Sequence, residues 1–160
     1  MEEIRIRDAR PSDAKVIVTF NVRMAMESEG RPLAADLIEA GVAAVLSDAS
    51  KGRYWVAEMS GEIAGQLLVT YEWSDWRNGV FWWIQSVYVR SQYRRKGVFS
   101  ALHRHVESMA RATQDVCGLR LYVERNNRRA QRTYLALGMT SPGYEVMEID
   151  FRREHLNGGQ

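Results

Sequence analysis

Between Gln85 and Leu102 the chain reads Gln-Ser-Val-Tyr-Val-Arg-Ser-Gln-Tyr-Arg-Arg-Lys-Gly-Val-Phe-Ser-Ala-Leu. It opens as a strand, with Val87 and Val89 on one side and Tyr88 on the other, and closes as an amphipathic helix. The loop between them gathers Arg90, Arg94, Arg95 and Lys96 just ahead of Gly97. A glycine at the mouth of a helix lets main-chain amides approach a ligand closely, and first-turn amides have no partner inside the helix. Together with the helix dipole and the basic side chains they make a seat for an anion. A strand feeding such a loop implies a phosphorylated cofactor held at the carboxyl ends of strands in an open α/β sheet.

The remaining pattern supplies that sheet. Glu3 to Arg7 alternates Ile4 and Ile6 with charge, a short strand. Ser12 or Asp13 can cap a helix that carries Ala14, Ile17, Val18, Asn21, Met24 and Ala25 at helical spacing. After Gly30 and Pro32 a second helix is expected to place Leu33, Leu37, Ile38, Val42, Val45 and Leu46 on one face. Arg53 to Met59 pairs with Glu62 to Trp73 across Ser60-Gly61, and a second turn, Ser74 to Gly79, leads into Val80 to Val89. That third run is apolar on both faces, Phe81 and Trp83 against Trp82 and Ile84, so helices should cover both sides of the sheet.

A helix from Val98 to about Thr113 follows, its inner stripe Leu102, Val106 and Met109. Leu119, Leu121 and Val123 alternate with Arg120, Tyr122 and Glu124 as a strand. Asn126 and Asn127 can cap a helix that runs through Leu137 and ends at Gly138. Glu145 to Phe151 alternates again as a final strand. The reading is a mixed α/β sheet, one domain over 1–156, with a disordered tail at 157–160.

With 160 residues the chain can bury a real core, and 46% apolar with 26% charged residues is globular composition. A net charge of +2 makes no general case for nucleic-acid binding; the positive charge is local. One cysteine, Cys117, excludes an intrachain disulfide and a multi-cysteine zinc site, and reads as a buried apolar residue rather than a nucleophile. His103 and His105 lie two apart on one helix, on nearly opposite faces, so no shared metal is expected. Neither a GxxxxGK[ST] loop nor a GxGxxG fingerprint occurs, which argues against an ATPase or a dinucleotide enzyme. There is no signal-peptide pattern and no apolar run near the ~20 residues that span a bilayer. A soluble, cytoplasmic protein without a membrane partner is expected.

Two motifs now stand in order. One is Val89-Arg90-Ser91-Gln92-Tyr93-Arg94-Arg95-Lys96-Gly97-Val98-Phe99. The other is Asn127-Arg-Arg-Ala130-Gln-Arg-Thr-Tyr134-Leu-Ala-Leu-Gly138. In these motifs and in its element order the chain resembles the GNAT family of N-acetyltransferases. The resemblance covers nearly the whole length, from Ile4 to the final strand. It implies an acetyl-CoA-dependent N-acetyltransferase fold, with transfer of acetyl from acetyl-CoA to an amine. It further implies that the cofactor's pyrophosphate sits on main-chain amides from Arg95 through Ser100, and that its pantetheine arm bonds to the strand at Val87 and Val89. Arg94, Arg95, Lys96, Gly97, Val98, Phe99 and Asn127 complete the expected cofactor contacts. Three positions depart from the family pattern. Ser91 stands where proline is common, Arg95 replaces a glycine, and Phe99 replaces a glycine or alanine in the first helical turn. A ring at Phe99 has to point away from the cofactor or reshape its channel.

Amine acetylation needs a neutral amine, stabilisation of the developing oxyanion, and a proton for the leaving thiolate. The motif position makes Tyr134 the candidate general acid, and a phenol is protonated at neutral pH. On spacing alone Tyr134 is ordinary core, on one stripe with Ala130 and Leu137. Asn127 either contacts the cofactor or only caps its helix. Relatives often place a glutamate where Gln85 stands here, so Glu72 is the tentative base, with Asp75, Glu27, Glu29 or a water relay as alternatives.

The turn Glu72-Trp-Ser-Asp-Trp-Arg-Asn78 could box a cationic amine. An acceptor pocket from Glu27, Trp73, Asp75 and Gln85 is the corresponding reading. A dimer contact, making a homodimer, or a Trp-rich core edge is the other. Trp82 and Trp83 read as packing. Direct transfer in a ternary complex is expected, to a small-molecule or peptide amine that the sequence does not identify. A non-catalytic acyl-CoA sensor is the alternative; it would bind acetyl-CoA without turnover. A nucleic-acid module on the loop cations is disfavoured, because no wider basic surface is evident.

Overall fold

The computed structural model describes residues 2–152. The expected tail at 157–160, and the last four residues of the expected domain, lie outside them. Two compact units divide the chain, Met1–Tyr122 and Val123–Gln160.

The first unit contains β1 (Arg5–Asp8), α1 (Ala14–Glu29), α2 (Ala35–Ser47), β2 (Arg53–Met59), β3 (Glu62–Ser74), β4 (Gly79–Val89), α3 (Val98–Ala112) and β5 (Val116–Leu121). The strands form one sheet in chain order. The first four are antiparallel neighbours, and β5 lies parallel to β4 after the α3 crossover. Ser60 and Gly61 join β2 to β3 at φ 54° and 76°. Both values belong to the two-residue turn whose twist matches a hairpin.

Helices cover both faces, as the two-sided β4 implies. On one side Val98, Leu102, Val106 and Ala110 of α3 pack on Trp55, Leu67, Val69, Trp82 and Ile84. On the other, Ile17 and Val42 from α1 and α2 pack on Tyr54 and Leu68. Within α2 the stripe is Ile38, Val42, Val45 and Leu46; Leu37, expected on it, is 58% exposed. Asp13 holds the N-cap position of α1 but makes no cap bond there. Its carboxylate instead accepts from the Arg10 amide at 2.7 Å and from the Arg7 guanidinium at 2.8 Å. Both carboxylate oxygens are thus taken by Arg7 and Arg10, ahead of the helix.

A bulge interrupts β4. Gln66 faces Tyr88 and Leu68 faces Gln85, so Ser86 and Val87 together oppose the single residue Leu67. Ser86 takes φ 50°, a left-handed conformation that costs an L residue roughly 1–2 kcal/mol. The extra residue switches the alternation. Trp82 and Ile84 face α3 before it, and Val87 and Val89 face α3 after it.

Four buried or half-buried polar groups meet there. Gln66 is fully buried and donates its Nε2 to the Ser86 carbonyl at 3.1 Å, while its Oε1 has no partner among the described residues. An unpaired buried acceptor costs roughly 1–3 kcal/mol. Asn21 donates to the Ile17 carbonyl at 3.1 Å and to the Tyr54 hydroxyl at 3.3 Å. Burial pushes the phenol pKa of that hydroxyl up, and the neighbouring Asn21 and Ser86 side chains oppose this only in part.

In the second unit, α4 spans Arg128–Ala136. Asn127 caps it as expected, accepting from the Ala130 amide at 3.1 Å, and Gly138 follows at φ 91°. Two strand expectations need correction. β5 ends at Leu121 rather than Glu124, and its start moves back to Val116. Glu145 to Phe151 forms no strand; Val146, Met147, Ile149 and Phe151 are 67 to 94% exposed. Alternation marks a face that a neighbour can cover, and among the described residues of this unit there is no strand for it to pair with.

Candidate functional site

β4 outruns β5. The last β4–β5 pair is Ile84 with Leu121, whereas β4 continues to Val89. From Gln85 onward the main chain on that side therefore has no β5 partner. Val89 sits opposite Gly65 on β3, and the Arg90 amide donates to the Ala64 carbonyl at 2.9 Å. In an antiparallel pair this arrangement turns the N–H and C=O of Val89 away from β3, toward the gap that β5 leaves. An extended amide chain can add to such an edge as a strand does.

Directly after this edge comes the anion loop. Arg95 and Gly97 take φ 63° and 83°, and alternating left-handed residues turn successive amides toward one side. The helical bonds of α3 begin with the Ala101 amide donating to the Gly97 carbonyl at 3.0 Å. The amides of Val98 and Ser100 thus precede the ladder, and Gly97 supplies no side-chain cap. A Cβ added at Gly97 would meet no protein atom within 4 Å. The cradle is open, and the α3 dipole points its positive end into it. Phosphate oxygens fit this donor set.

The loop cations divide into two kinds. Arg94 donates to Glu27 at 2.6 Å and to the Val89 carbonyl at 2.9 Å, and lies 5.5 Å from the Tyr88 ring centroid. Arg90 reaches Glu62 at 3.4 Å and stacks 5.4 Å over Phe20. Both are committed to the protein. Arg95 and Lys96 are exposed, Lys96 with its ammonium 5.5 Å over Tyr93. Phe99 lies against His103 at 6.0 Å between ring centroids, half-buried.

Glu27, Trp73, Asp75 and Gln85 do not come together. Trp73 pairs with Val80 at the hairpin tip and is 58% exposed, and Asp75 lies in the adjoining turn, accepting from the Trp76 amide at 2.9 Å. Gln85 is five residues farther along β4, roughly 17 Å of strand. There it donates to Thr70 Oγ1 at 2.5 Å. Glu27 lies past the bulge, accepting from the Tyr88 hydroxyl at 3.2 Å.

Glu72 accepts from Arg120 at 2.6 Å, and Arg120 stacks 3.7 Å over Phe81. Beside them Trp83 stacks on Tyr122 with centroids 4.5 Å apart. This pair was not foreseen; Trp83 and Tyr122 are far apart in sequence, and only the parallel register brings them together. Cys117, expected to be buried, is exposed, because β5 is an edge strand here.

In the second unit, burial raises the Tyr134 phenol pKa above its usual value of 10.0. The proton therefore stays on the oxygen at neutral pH, where it can be donated.

Comparison with known proteins places the chain among acyl-group transferases. The family model for the acetyltransferase (GNAT) family matches residues 21–139. A structure described as "a possible acetyltransferase from Clostridium difficile 630" is 44% identical, with a TM-score of 0.87, over 92% of this chain and 97% of that one. A Clostridium acetobutylicum "predicted acetyltransferase with acetyl-CoA" shares the fold at 16% identity and TM-score 0.75, over 96% of this chain and 99% of that one. An aminoglycoside N-acetyltransferase in complex with CoA does so at 15% identity and TM-score 0.71, over 94% and 97%. No curated protein matches the chain. No helix among the described residues is long and apolar enough to cross a membrane.

Proposed function

We propose, for a chain that belongs to the GNAT family of acetyltransferases, that it moves acetyl from acetyl-CoA directly to a primary amine, without an acyl-enzyme. The observation that carries this reading is the five-residue overhang of β4 past β5, leading straight into the glycine-led head of α3. The cofactor supplies the activated thioester. The chain's own residues do the rest. The amides of Val98 and Ser100, with Arg95 and Lys96, hold the diphosphate charge. The edge at Val87 and Val89, unpaired with β5, aligns the arm, which fixes the thioester relative to the sheet and makes attack effectively unimolecular. Asn127 caps α4 and so sets the helix that carries Tyr134.

Tyr134 is proposed to protonate the departing thiolate, a role that rests on its motif position and its retained proton. Glu72, anchored by Arg120, is the carboxylate proposed to receive the amine's proton. The acceptor side is drawn from the sheet surface around Gln85, Thr70, Trp83 and Tyr122, next to the point where β4 and β5 part.

CoA release measured across a panel of amines tests the activity. Release with at least one amine, and none without amine, is expected; acetyl-CoA binding with no turnover on any amine would favour a sensing module. Tyr134→Phe should lower kcat by about 10²- to 10⁴-fold with acetyl-CoA affinity retained. Unchanged kcat removes Tyr134 from the mechanism.

A further inference from the structure

The Ser86 bulge is over-determined for a strand defect. Ser86 holds a left-handed φ of 50° with an ordinary side chain. Gln66, with no exposure at all, spends its one side-chain bond on the Ser86 carbonyl and leaves its other end unpaired. Tyr54, 5% exposed, sets its hydroxyl beside the Ser86 side chain while accepting from Asn21, itself 3% exposed. Gln66 from β3 and Tyr54 from β2, the latter backed by Asn21 of α1, thus converge on one strained residue. Apolar residues at these sites would pack the core without an unpaired acceptor, so packing does not account for them.

The position of the bulge does account for them. It begins two residues beyond Ile84, the last β4 residue paired with β5, at the head of the unpaired edge. A bulge bends its strand and re-aims the residues that follow. Here it turns Val87 and Val89 to the α3 side, the side of the anion loop.

We infer that Gln66 and Tyr54, backed by Asn21, are positioning residues: they clamp the Ser86 bulge and thereby hold the β4 edge in the path of the thioester arm. This rests on the cofactor reading given above. The clamp touches neither cofactor nor acceptor. It acts through the main chain of Ser86 and Val87.

Gln66→Leu is the test, since leucine keeps most of the volume and removes both the bond to Ser86 and the unpaired oxygen. The variant should fold with wild-type stability or better. Its kcat/KM for acetyl-CoA should fall about 10- to 100-fold, the scale set by displacing a reacting group by about 1 Å. Its affinity for adenosine 3′,5′-bisphosphate, which has no pantetheine arm, should stay within about 2-fold, because the loop amides are untouched. Amide hydrogen exchange at Ser86 and Val87 should quicken without any cofactor present. Adding Ser86→Gly, which relieves the left-handed strain, should recover part of the loss.

Wild-type kinetics and wild-type exchange in Gln66→Leu would overturn the clamp. So would equal losses of acetyl-CoA and bisphosphate affinity, which would mark a general structural role. A wild-type protein with no affinity for CoA would instead sink the cofactor reading, a separate failure visible before any variant is made.

Discussion

Arg95 shows how a single residue trades conformation against charge. It holds φ 63° in the cradle, where a glycine would sit without strain. Arg95→Gly should therefore stabilise the fold by about 1 kcal/mol while weakening CoA by roughly 5-fold, the upper range of an exposed ion pair. Arg95→Gln separates the two effects, because it keeps the strain and loses the charge. It should weaken CoA by the same factor with no gain in stability. Urea unfolding and calorimetry read both quantities, and unaltered CoA affinity in the two variants would show that the guanidinium makes no phosphate contact.

The glycine-led anion cradle was legible in the residues, since Gly97 with four nearby cations has few other uses. Ser86 was not. Nothing in Gln85-Ser86-Val87 marks a left-handed residue, because the signal for such a position is usually glycine or asparagine. The strain there is imposed by Gln66 and Tyr54, which are about twenty and thirty residues away in sequence.

At the scale of elements, Glu27 ties the last turn of α1 to β4 and its loop. Its carboxylate accepts from Tyr88 at 3.2 Å and from Arg94 at 2.6 Å, and Arg94 in turn covers the Val89 carbonyl. That carbonyl belongs to the edge along which the proposed arm runs, so Arg94 and the arm compete for it. Glu27→Gln removes the charge that holds Arg94 in place. The pair is about half exposed, so stability should drop by less than about 1 kcal/mol. Acetyl-CoA should bind a few-fold tighter, while adenosine 3′,5′-bisphosphate is unaffected. Weaker acetyl-CoA binding in the variant would mean that Arg94 assists the cofactor from this position.

Periodicity located the helices and the hairpins well, because each has a face that one neighbour buries. It failed where a face has no neighbour. The alternating Glu145 to Phe151 is exposed without a ladder, and β5 stops before the alternation of Val123 and Glu124 does. Likewise the acceptor candidates Trp73, Asp75, Gln85 and Glu27 are close in type but spread from the tip of β4 to beyond its bulge. Sequence order conveys chemistry; register decides which groups can share a ligand.

For the molecule as a whole, the buried His103 and half-buried His105 of α3 set a pH dependence whose sign can be worked out. His103 is 1% exposed with neither ring nitrogen hydrogen-bonded among the described residues. Burial lowers its pKa below 6.5, and Glu107, 3.8 Å from Nδ1, opposes that only in part. His105, packed edge-on to Trp55, is lowered by burial as well, with Asp8 opposing and Arg53 assisting. Both rings are thus neutral in the folded protein at pH values where the unfolded chain binds protons.

The stability this represents is present above about pH 6.5 and is lost as the pH falls from there toward the lower folded values. The slope approaches about 1.4 kcal/mol per pH unit for each proton. Asp8 and Asp13 act in a second window. Hydrogen bonds from Arg53 and Arg7 lower their pKa values below 3.8, so their contribution persists above that value and disappears only in stronger acid. Thermal unfolding between about pH 7.5 and pH 5.5 should therefore report the histidines alone. The melting temperature should fall across this range in the wild type, and His103→Leu, which fills the same apolar site without a titrating group, should flatten the decline. An identical decline in both proteins would show that His103 takes up its proton without opening the core.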